Sequence, residues 1–356
     1  MPDPTTSSPD QALAEPRAPL AVRAAAPETL PDLPEEAGLT WRPLEPADIP
    51  ALTALITHIE DVDNPPYRTA PEEVAGYFDD SHDHSGVGGF DAEGNLHAFG
   101  LARLRKADTT VKRVFVSGGL EPTRRNHGIG RAVMDWQIAR ARQMLSVADG
   151  ADTEVPARIV VHVDDDMDGL AHLVSLRGFA PRRHYSQLRR DLSEPIPEVS
   201  LAHPLTVVPW SPALDDAVRR AHNAAFRELW GAQPLSVAAW QEERSHHVAT
   251  WSFVALDRSS DRAQVAGYLM SGRYEQDWDA LGWTEGYTEI LGVLPAWRGR
   301  HVATALLSHA MRAYAEDGMQ YAGLDVDADD PTGAIGLFER LGYERVRGSA
   351  VYTIEI

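Results

Sequence analysis

The apolar and polar positions of the chain follow one series of strands and helices and then repeat it. Alternation predicts strands, and apolar residues three and four apart predict helices. The first series has helices at 46–59, 71–77, 126–147 and 168–177 and strands at 39–44, 86–90, 96–105, 111–117, 158–163 and 179–191. The second has helices at 212–226, 236–245, 302–314 and 331–341, and strands at 205–210, 251–257, 265–272, up to 293, 321–326, 343–346 and 350–354.

Two landmarks recur in the same order, which indicates a tandem duplication. Residues 125–130 (RNHGIG) correspond to 298–303 (RGRHVA) at an offset of 173 residues, and the Gly-aromatic pair at 178–179 corresponds to 342–343 at an offset of 164. We therefore predict two domains. The predicted organisation is a disordered Pro- and Ala-rich leader at 1–38, a first domain at 39–192, a linker at 193–203 and a second domain at 204–356.

Composition narrows the class of protein. The 356 residues contain no Cys, which excludes disulfides, thiolate nucleophiles and Cys-ligated zinc. A net charge of −20 argues against nucleic acid as a partner. Without a run of eighteen apolar residues or a signal peptide, we expect no membrane contact and a cytoplasmic protein. His82, His84, His246 and His247 are interpreted as surface histidines, and no metal is expected.

The stretch 289–307 predicts an anion site between a strand and a helix. A strand ends at Val293, a basic bend with Arg298 and Arg300 follows, and an apolar-periodic helix begins near 302. The first turn of a helix has unpaired N–H groups and the positive end of the helix dipole. This bend is therefore suited to hold a pyrophosphate.

Residues 293–303 (VLPAWRGRHVA) and 334–343 (AIGLFERLGY) resemble the GNAT superfamily of N-acyltransferases that use acetyl-CoA. The family has Gln/Arg-x-x-Gly-x-Gly/Ala after a strand ending in Val-x-Pro, and a Gly-aromatic pair about fifty residues later. Residues 118–130 and 178–179 repeat the pattern. The resemblance covers 39–356, and its tandem form resembles two-domain actinobacterial acetyltransferases of the mycothiol synthase type.

This resemblance implies an α/β fold (α+β mixed sheet) of tandem GNAT acyl-CoA N-acyltransferase domains, each a central mixed β-sheet flanked by helices. It implies acetyl-CoA as cosubstrate, bound in the second domain at Leu291, Val293, Arg298, Gly299, Arg300, His301, Val302, Ala303 and Thr304. A second candidate CoA site comprises Arg125, Asn126, His127, Gly128, Ile129 and Gly130. His301 stands where the family usually has glycine.

The family comparison also implies the catalytic groups. Many members have a carboxylate on the strand before the bend, which takes a proton from the acceptor ammonium. Glu289 occupies that strand, whereas the first-domain strand at 111–117 has no acidic residue. The second domain is therefore expected to be catalytic and the first non-catalytic. The tyrosine that often protonates the CoA thiolate is replaced by Phe338 and Val174.

Aromatic residues in a loop predicted at 274–283 are the expected wall of the acceptor site. Tyr274, Trp278 and Trp283 alternate with carboxylates, a combination that suits a cationic amine. The predicted function is acetyl-CoA-dependent acetylation of a primary amine of a small molecule by direct attack in a ternary complex. Alternatives are mycothiol synthase-like or protein and peptide N-acetylation, and a non-catalytic acyl-CoA sensor or scaffold. The chain is expected to be a monomer or homodimer.

Overall fold

The computed structural model describes residues 17–35, 38–227, 232–242, 244, 246–329 and 333–356. Within these residues the strands are β1 (Thr40–Pro43), β2 (His82–Phe90), β3 (Leu96–Arg105), β4 (Lys112–Leu120), β5 (Ala157–Asp164), β6 (Ala180–Asp191), β7 (Leu205–Pro209), β8 (Phe253–Asp257), β9 (Gln264–Gly272), β10 (Glu285–Val293), β11 (Tyr321–Asp327) and β12 (Glu344–Glu355). The α-helices are α1 (Leu20–Arg23), α2 (Ile49–Asp63), α3 (Pro71–Gly76), α4 (Ile129–Ser146), α5 (Asp168–Ser175), α6 (Asp215–Ala225), α7 (Val237–Glu242), α8 (Trp278–Leu281), α9 (Val302–Glu316) and α10 (Ala334–Arg340).

The strands form one mixed sheet in the order β1-β2-β3-β4-β5-β12-β6-β11-β10-β9-β8-β7. Pairing is parallel between β4 and β5 and between β10 and β11, and antiparallel between the other neighbours in the described residues. Each parallel pair is joined by a helix, α4 or α9, because parallel strands need a crossover connection. The predicted mixed sheet flanked by helices is confirmed, and the two repeats share one sheet where a separate sheet was expected for each.

The last strand of each repeat lies among strands of the other repeat. We call residues 39–192 the first half and residues 204–356 the second half. β12, which ends the second half, pairs with β5, and β6, which ends the first half, pairs with β11. β6 and β12 also pair with each other. Sheet pairing therefore crosses the linker predicted at 193–203, and the domain bounds stay a prediction.

Helices cover both faces of the sheet in the second half. Successive side chains of a strand point to opposite faces, and β9 shows this directly. Leu269 packs in the core under α9, whereas its neighbours Tyr268 and Met270 pack with Trp240 in the core under α6 and α7. The apolar residues that α9 buries recur every three or four positions: Val302, Leu306, Ala310, Met311 and Tyr314.

The first half has the same layers. Helix α4 packs against β3, β4 and β5, and its buried residues Met134, Ala141 and Leu145 lie in a core with Ile159. Helices α2 and α3 contribute to a separate core under β2 and β3. None of the helices in the described ranges has the length and apolar character that crossing a bilayer requires.

The prediction of a disordered leader is wrong for residues 17–35. Leu20 is fully buried in the α4 core, and its N–H donates to the carbonyl of Thr153 at 2.8 Å. The short α1 escapes sequence recognition because it is stabilised by this tertiary contact rather than by its own periodicity. Residues 1–16 and 36–37 lie outside the described residues.

Two further expectations need correction. The stretch 274–283, expected as a loop, contains α8. The two C-terminal strands at 343–346 and 350–354 are one strand, β12, with a register shift between Arg345 and Arg347. The predicted helix 331–341 begins at Ala334 within the described residues, and positions 330–332 lie outside them.

Candidate active site

Strand β10 separates from its parallel neighbour β11 partway along its length. Pairing ends at Thr288↔Leu324, although both strands continue beyond these residues. Against β9 the register shifts between Thr288 and Ile290, so that Glu289 is the extra residue of a β-bulge. Bulges redirect side chains and interrupt pairing. Glu289 therefore lies where the sheet opens.

The Glu289 carboxylate is hydrogen-bonded through one oxygen. Tyr274 Oη donates to Glu289 Oε1 at 2.8 Å. The other oxygen, Oε2, is buried and has no hydrogen-bond partner in the described part of the chain. Residue 272 must be small, because a Cβ at Gly272 would overlap this carboxylate. One carboxylate oxygen is thus positioned by Tyr274 while the second can accept a proton from a ligand.

Burial raises the pKa of the Glu289 carboxyl above its ordinary value. The hydrogen bond from Tyr274 and the positive charges of His246 and Arg244 act in the opposite direction and lower this pKa. A carboxylate whose pKa moves toward neutrality is a better proton acceptor than a surface carboxylate. The arrangement can therefore take a proton from an ammonium ion that binds in the sheet opening.

The bend between β10 and α9 contains two residues with left-handed backbone, Gly299 (φ 74°) and His301 (φ 59°). In the first-half bend, Asn126 (φ 67°) and Gly128 (φ 85°) occupy the same two places. Histidine and asparagine are among the non-glycine residues that tolerate this conformation best. His301 therefore adopts the conformation that the family glycine would have, and the bend keeps its shape.

The start of α9 offers several features that favour an anion. No side chain caps the helix, so the N–H groups of its first turn have no intrahelical or capping partner. Arg298 and Arg300 are exposed beside it, and Arg298 Nε donates to the carbonyl of Val293 at 3.2 Å. Trp297 Nε1 donates to Asp257 at 2.8 Å and fixes the bend to the end of β8. This arrangement suits a pyrophosphate.

The remaining predicted donor residues lie along the same path. Leu291 and Val293 pair with β9 on the part of β10 that has left β11. Val302 is buried in the α9 core, whereas Ala303 and Thr304 are half-buried in the first turn of the helix. Their contacts with a donor stay a prediction.

The first half has the sheet opening but lacks the carboxylate. Parallel pairing of β4 with β5 stops at Phe115↔Val160, the place equivalent to Thr288↔Leu324 in the second half. The residue in the position of Glu289 is Val116, which is 4% exposed, and β3 pairs past it without a register shift. The first half therefore has neither the bulge nor a proton acceptor at this place.

The bend of the first half also has different surroundings. The guanidinium of Arg125 donates to both oxygens of Asp63 at 2.7 Å, so a carboxylate lies beside the bend. A negative charge there opposes an anionic ligand. Asn126, His127 and Gly128 are exposed, Ile129 is buried and Gly130 is half-buried. The second CoA site stays a prediction.

The structure places one of the three predicted acceptor aromatics at Glu289. Tyr274 is its hydrogen-bond donor. Trp278 packs instead against the α9 core. Trp283 lies under Arg189, whose guanidinium carbon is 4.1 Å from the ring centroid, and lines a cleft of about 400 Å³. The acceptor roles of all three residues stay predictions.

His246, interpreted from the sequence as a surface residue, is only partly exposed. Its side chain is 24% exposed, and its ring lies against that of Tyr274 with centroids 4.5 Å apart. Its Nε2 is 3.3 Å from Glu73 Oε1 on α3 of the first half. No motif could identify this group, because Glu73 and His246 meet only through the arrangement of the two halves. His247 is likewise half-buried, with its ring 4.9 Å from that of Trp210.

The two positions expected for a thiolate acid are apolar and buried. Phe338 is 5% exposed and Val174 is fully buried. Neither position can supply a proton. Among the described residues, no three His, Asp or Glu side chains are grouped as metal ligands would be.

A comparison with known protein families identifies the region that contains this site. Residues 216–343 match the Acetyltransferase (GNAT) family. This part of the chain is a GNAT acetyltransferase domain. The matched region contains β8 to β11, the bulge at Glu289, the bend and α9. The chain is therefore an N-acetyltransferase.

Curated relatives agree with the family match. The chain is 26% identical over 249 residues to a mycothiol acetyltransferase of Streptomyces scabiei (strain 87.22), a match that covers 66% of this chain and 70% of that protein. It is 28% identical over 258 residues to a mycothiol acetyltransferase of Salinispora arenicola (strain CNS-205), with coverage of 69% and 74%.

Solved structures show that the similarity in fold includes both halves. A GCN5-related N-acetyltransferase from Sphaerobacter thermophilus superposes with a TM-score of 0.67 at 21% identity, covering 91% of this chain and 97% of that one. A tandem GNAT protein from the clavulanic acid biosynthesis pathway gives a TM-score of 0.61 at 18% identity, with coverage of 89% and 98%. The predicted tandem GNAT fold is confirmed.

Proposed function

We propose that the chain transfers the acetyl group of acetyl-CoA to a primary amine of a small molecule by direct attack in a ternary complex. The observation that carries this proposal is the Glu289 carboxylate. It lies at the sheet opening, one oxygen accepts from Tyr274 and the other has no partner in the described residues. A group of this kind can take the proton of an ammonium acceptor.

In the proposed complex the donor binds along β10 and the bend. Its pyrophosphate accepts hydrogen bonds from the N–H groups of residues 299–304, beside Arg298 and Arg300. Its pantetheine amides pair with β10 near Leu291 and Val293, where β11 has diverged. The thioester then lies at the opening on the Glu289 side, within reach of an amine in the same cleft.

The proposed reaction proceeds in one acyl transfer. Glu289 Oε2 takes a proton from the ammonium, and the neutral amine attacks the thioester carbonyl carbon. The C–N bond forms, the C–S bond breaks and CoA leaves as a thiolate. The second proton that the nitrogen loses neutralises this thiolate through water, since Phe338 has no acidic group. A cysteinyl acyl-enzyme is excluded because the chain has no Cys.

A second candidate acceptor comes from the relatives. Proteins 26% and 28% identical to this chain carry the name mycothiol acetyltransferase. An acceptor of the mycothiol type also presents a primary amine, so the proposed chemistry applies to it unchanged. Turnover on the mycothiol precursor amine, compared with simple primary amines, distinguishes the two candidates.

The test of the proposed function is Glu289→Gln, with Glu316→Gln as the matched control on the exposed end of α9. CoA release is measured across a panel of primary amines, and acetyl-CoA binding is measured by calorimetry. Glu289→Gln should reduce kcat by more than about tenfold, because the amide accepts no proton. Acetyl-CoA affinity should remain within about twofold of the parent value, since the donor contacts are unchanged.

Each result bears on a different part of the proposal. Parental turnover in Glu289→Gln would remove Glu289 as the base. Acetyl-CoA binding by the parent chain without turnover on any amine would favour the sensor alternative. Loss of acetyl-CoA binding after Arg298→Ala and Arg300→Ala, but not after Arg125→Ala, would support the assignment of the donor to the second half.

A further inference from the structure

A chain of contacts leads from the first half to the Glu289 carboxylate. Glu73 on α3 places Oε1 3.3 Å from His246 Nε2. The imidazole of His246 lies against the Tyr274 ring at 4.5 Å with an interplanar angle of 31°. Tyr274 Oη then donates to Glu289 Oε1 at 2.8 Å. Each member contacts the next, and only Glu73 comes from the first half.

Glu73 is itself held in place by α3. Its Oε2 accepts the N–H of Ala70 at 2.8 Å at the start of the helix. The second oxygen is thereby left to face His246. A carboxylate fixed at one oxygen presents the other with little loss of side-chain freedom, which makes the pairing with an imidazole more specific.

A second contact fixes the same loop from the first half. Arg68 N–H donates to Asp277 Oδ1 at 2.7 Å, three residues after Tyr274. Burial raises the pKa of Asp277 to about 6, and the negative charge of Glu73 acts in the same direction. The segment 274–277 is therefore attached to the first half directly at Asp277 and indirectly through His246.

We propose that Glu73 of the first half is a positioning residue for acetyl transfer in the second half. Through His246 it fixes the Tyr274 ring, and Tyr274 fixes the Glu289 carboxylate in the sheet opening. This inference rests on the proposed role of Glu289. It gives the first half, which has Val116 in place of the carboxylate, an indirect part in the reaction.

The contact acts on Glu289 through the hydrogen bond from Tyr274. Burial raises the pKa of Glu289, whereas this hydrogen bond lowers it. If Glu73→Gln releases the Tyr274 ring, the hydrogen bond should weaken and Glu289 should stay protonated to a higher pH. The titratable and charged groups that face this cluster are Glu73, Arg244, His246, Tyr274, Asp277, Tyr287 and Tyr314.

The experiment compares Glu73→Gln with Glu72→Gln in the full chain. Glutamine keeps an oxygen for the Ala70 N–H, so α3 retains its first-turn contact, and Glu72 is an exposed neighbour on the same helix. At neutral pH, Glu73→Gln should lower kcat/KM for the amine about threefold to fivefold. The acidic limb of its pH profile should move to higher pH, while acetyl-CoA affinity remains parental. Glu72→Gln should match the parent.

A double-variant series tests whether Glu73 acts through His246 and Glu289. Glu73→Gln should cause no further loss in a His246→Gln chain or in a Glu289→Gln chain, because the path is already broken. Additive losses in either background would overturn the proposal. An unchanged pH profile, or an equal loss in Glu72→Gln, would also overturn it.

The two proposals can fail separately. Impaired Glu289→Gln together with parental Glu73→Gln would remove the positioning role and leave the base in place. Parental Glu289→Gln would remove the base, and the positioning role would fall with it.

Discussion

The two halves share a backbone frame and differ at the residue that lies in its opening. In both, the parallel strand pair separates at the same point, and in both a bend with two left-handed residues leads into an uncapped helix. At the opening the second half has Glu289 in a bulge, and the first has buried Val116 in regular pairing.

This difference separates two properties of an acetyltransferase site. The opening and the bend are formed by backbone, so they persist through many side-chain changes. The proposed proton acceptor depends on three conditions: a carboxylate at 289, a hydroxyl at 274 and no Cβ at 272. The loss of any one condition would leave the fold intact and would remove, displace or weaken the proposed base.

The strongest test of the comparison between the two halves is a substitution at Gly272. Gly272→Ala should lower kcat by more than about tenfold, because the new Cβ occupies the space of the Glu289 carboxylate. The colliding atoms belong to the end of a flexible side chain, so the carboxylate should move and the fold should remain. Steady-state kinetics and thermal unfolding measure the two effects.

The matched control for this variant is Gly130→Ala in the first half. No heavy atom lies within 4 Å of a Cβ added there, and the equivalent residue in the second half is Ala303. We expect parental activity and stability. An equal loss of activity in both variants would show that the first-half bend takes part in the reaction and would contradict the comparison.

A smaller effect is expected from Tyr274→Phe, and it depends on pH. The hydrogen bond from Tyr274 lowers the pKa of Glu289. The variant lacks this hydrogen bond, so the pKa of Glu289 should rise. Glu289 accepts a proton only when ionised, and the variant should therefore lose about fivefold in kcat/KM on the acidic limb and recover at high pH. A pH profile of kcat/KM checks this, and a uniform loss at all pH values would argue for a packing effect.

The smallest effect is expected at His301. Because its φ of 59° is unfavourable for a side chain, His301→Gly should raise the free energy of unfolding by about 0.5–1 kcal/mol. The reciprocal Gly128→Ala should lower it by about 1 kcal/mol. Urea titrations measure both values. Tenfold weaker acetyl-CoA binding by His301→Gly would show that the imidazole itself contacts the donor.

Periodicity and motif spacing predicted most of the frame. The α9 face follows from apolar spacing. Glu289 could be selected because the family resemblance implies a carboxylate on the strand before the bend, and Glu289 lies on that strand. The bulge could not be predicted, since one extra residue leaves the local pattern unchanged. The positive φ of His301 could not be predicted either, because a residue type indicates only a preference for a backbone conformation.

Long-range contacts could not be predicted from the local pattern of apolar and polar residues. The exchange of β6 and β12 cannot be read from their sequences, since a strand with a given alternation fits either neighbour. The meeting of Glu73 with His246 depends on that arrangement. α1 was missed for a related reason: its four residues have no periodicity and are held by contacts with residues 151 and 153.

The strand exchange has a consequence for how the chain could be divided into two separate proteins. A break in the gene at the linker would leave β6 on one product and its neighbours β11 and β12 on the other. Each product would expose unpaired strand edges until it found its counterpart. We therefore expect that truncation at the linker would not leave a complete second half. A copy that has no carboxylate at its sheet opening can still be required for the fold, because strands of both copies pair within the same sheet.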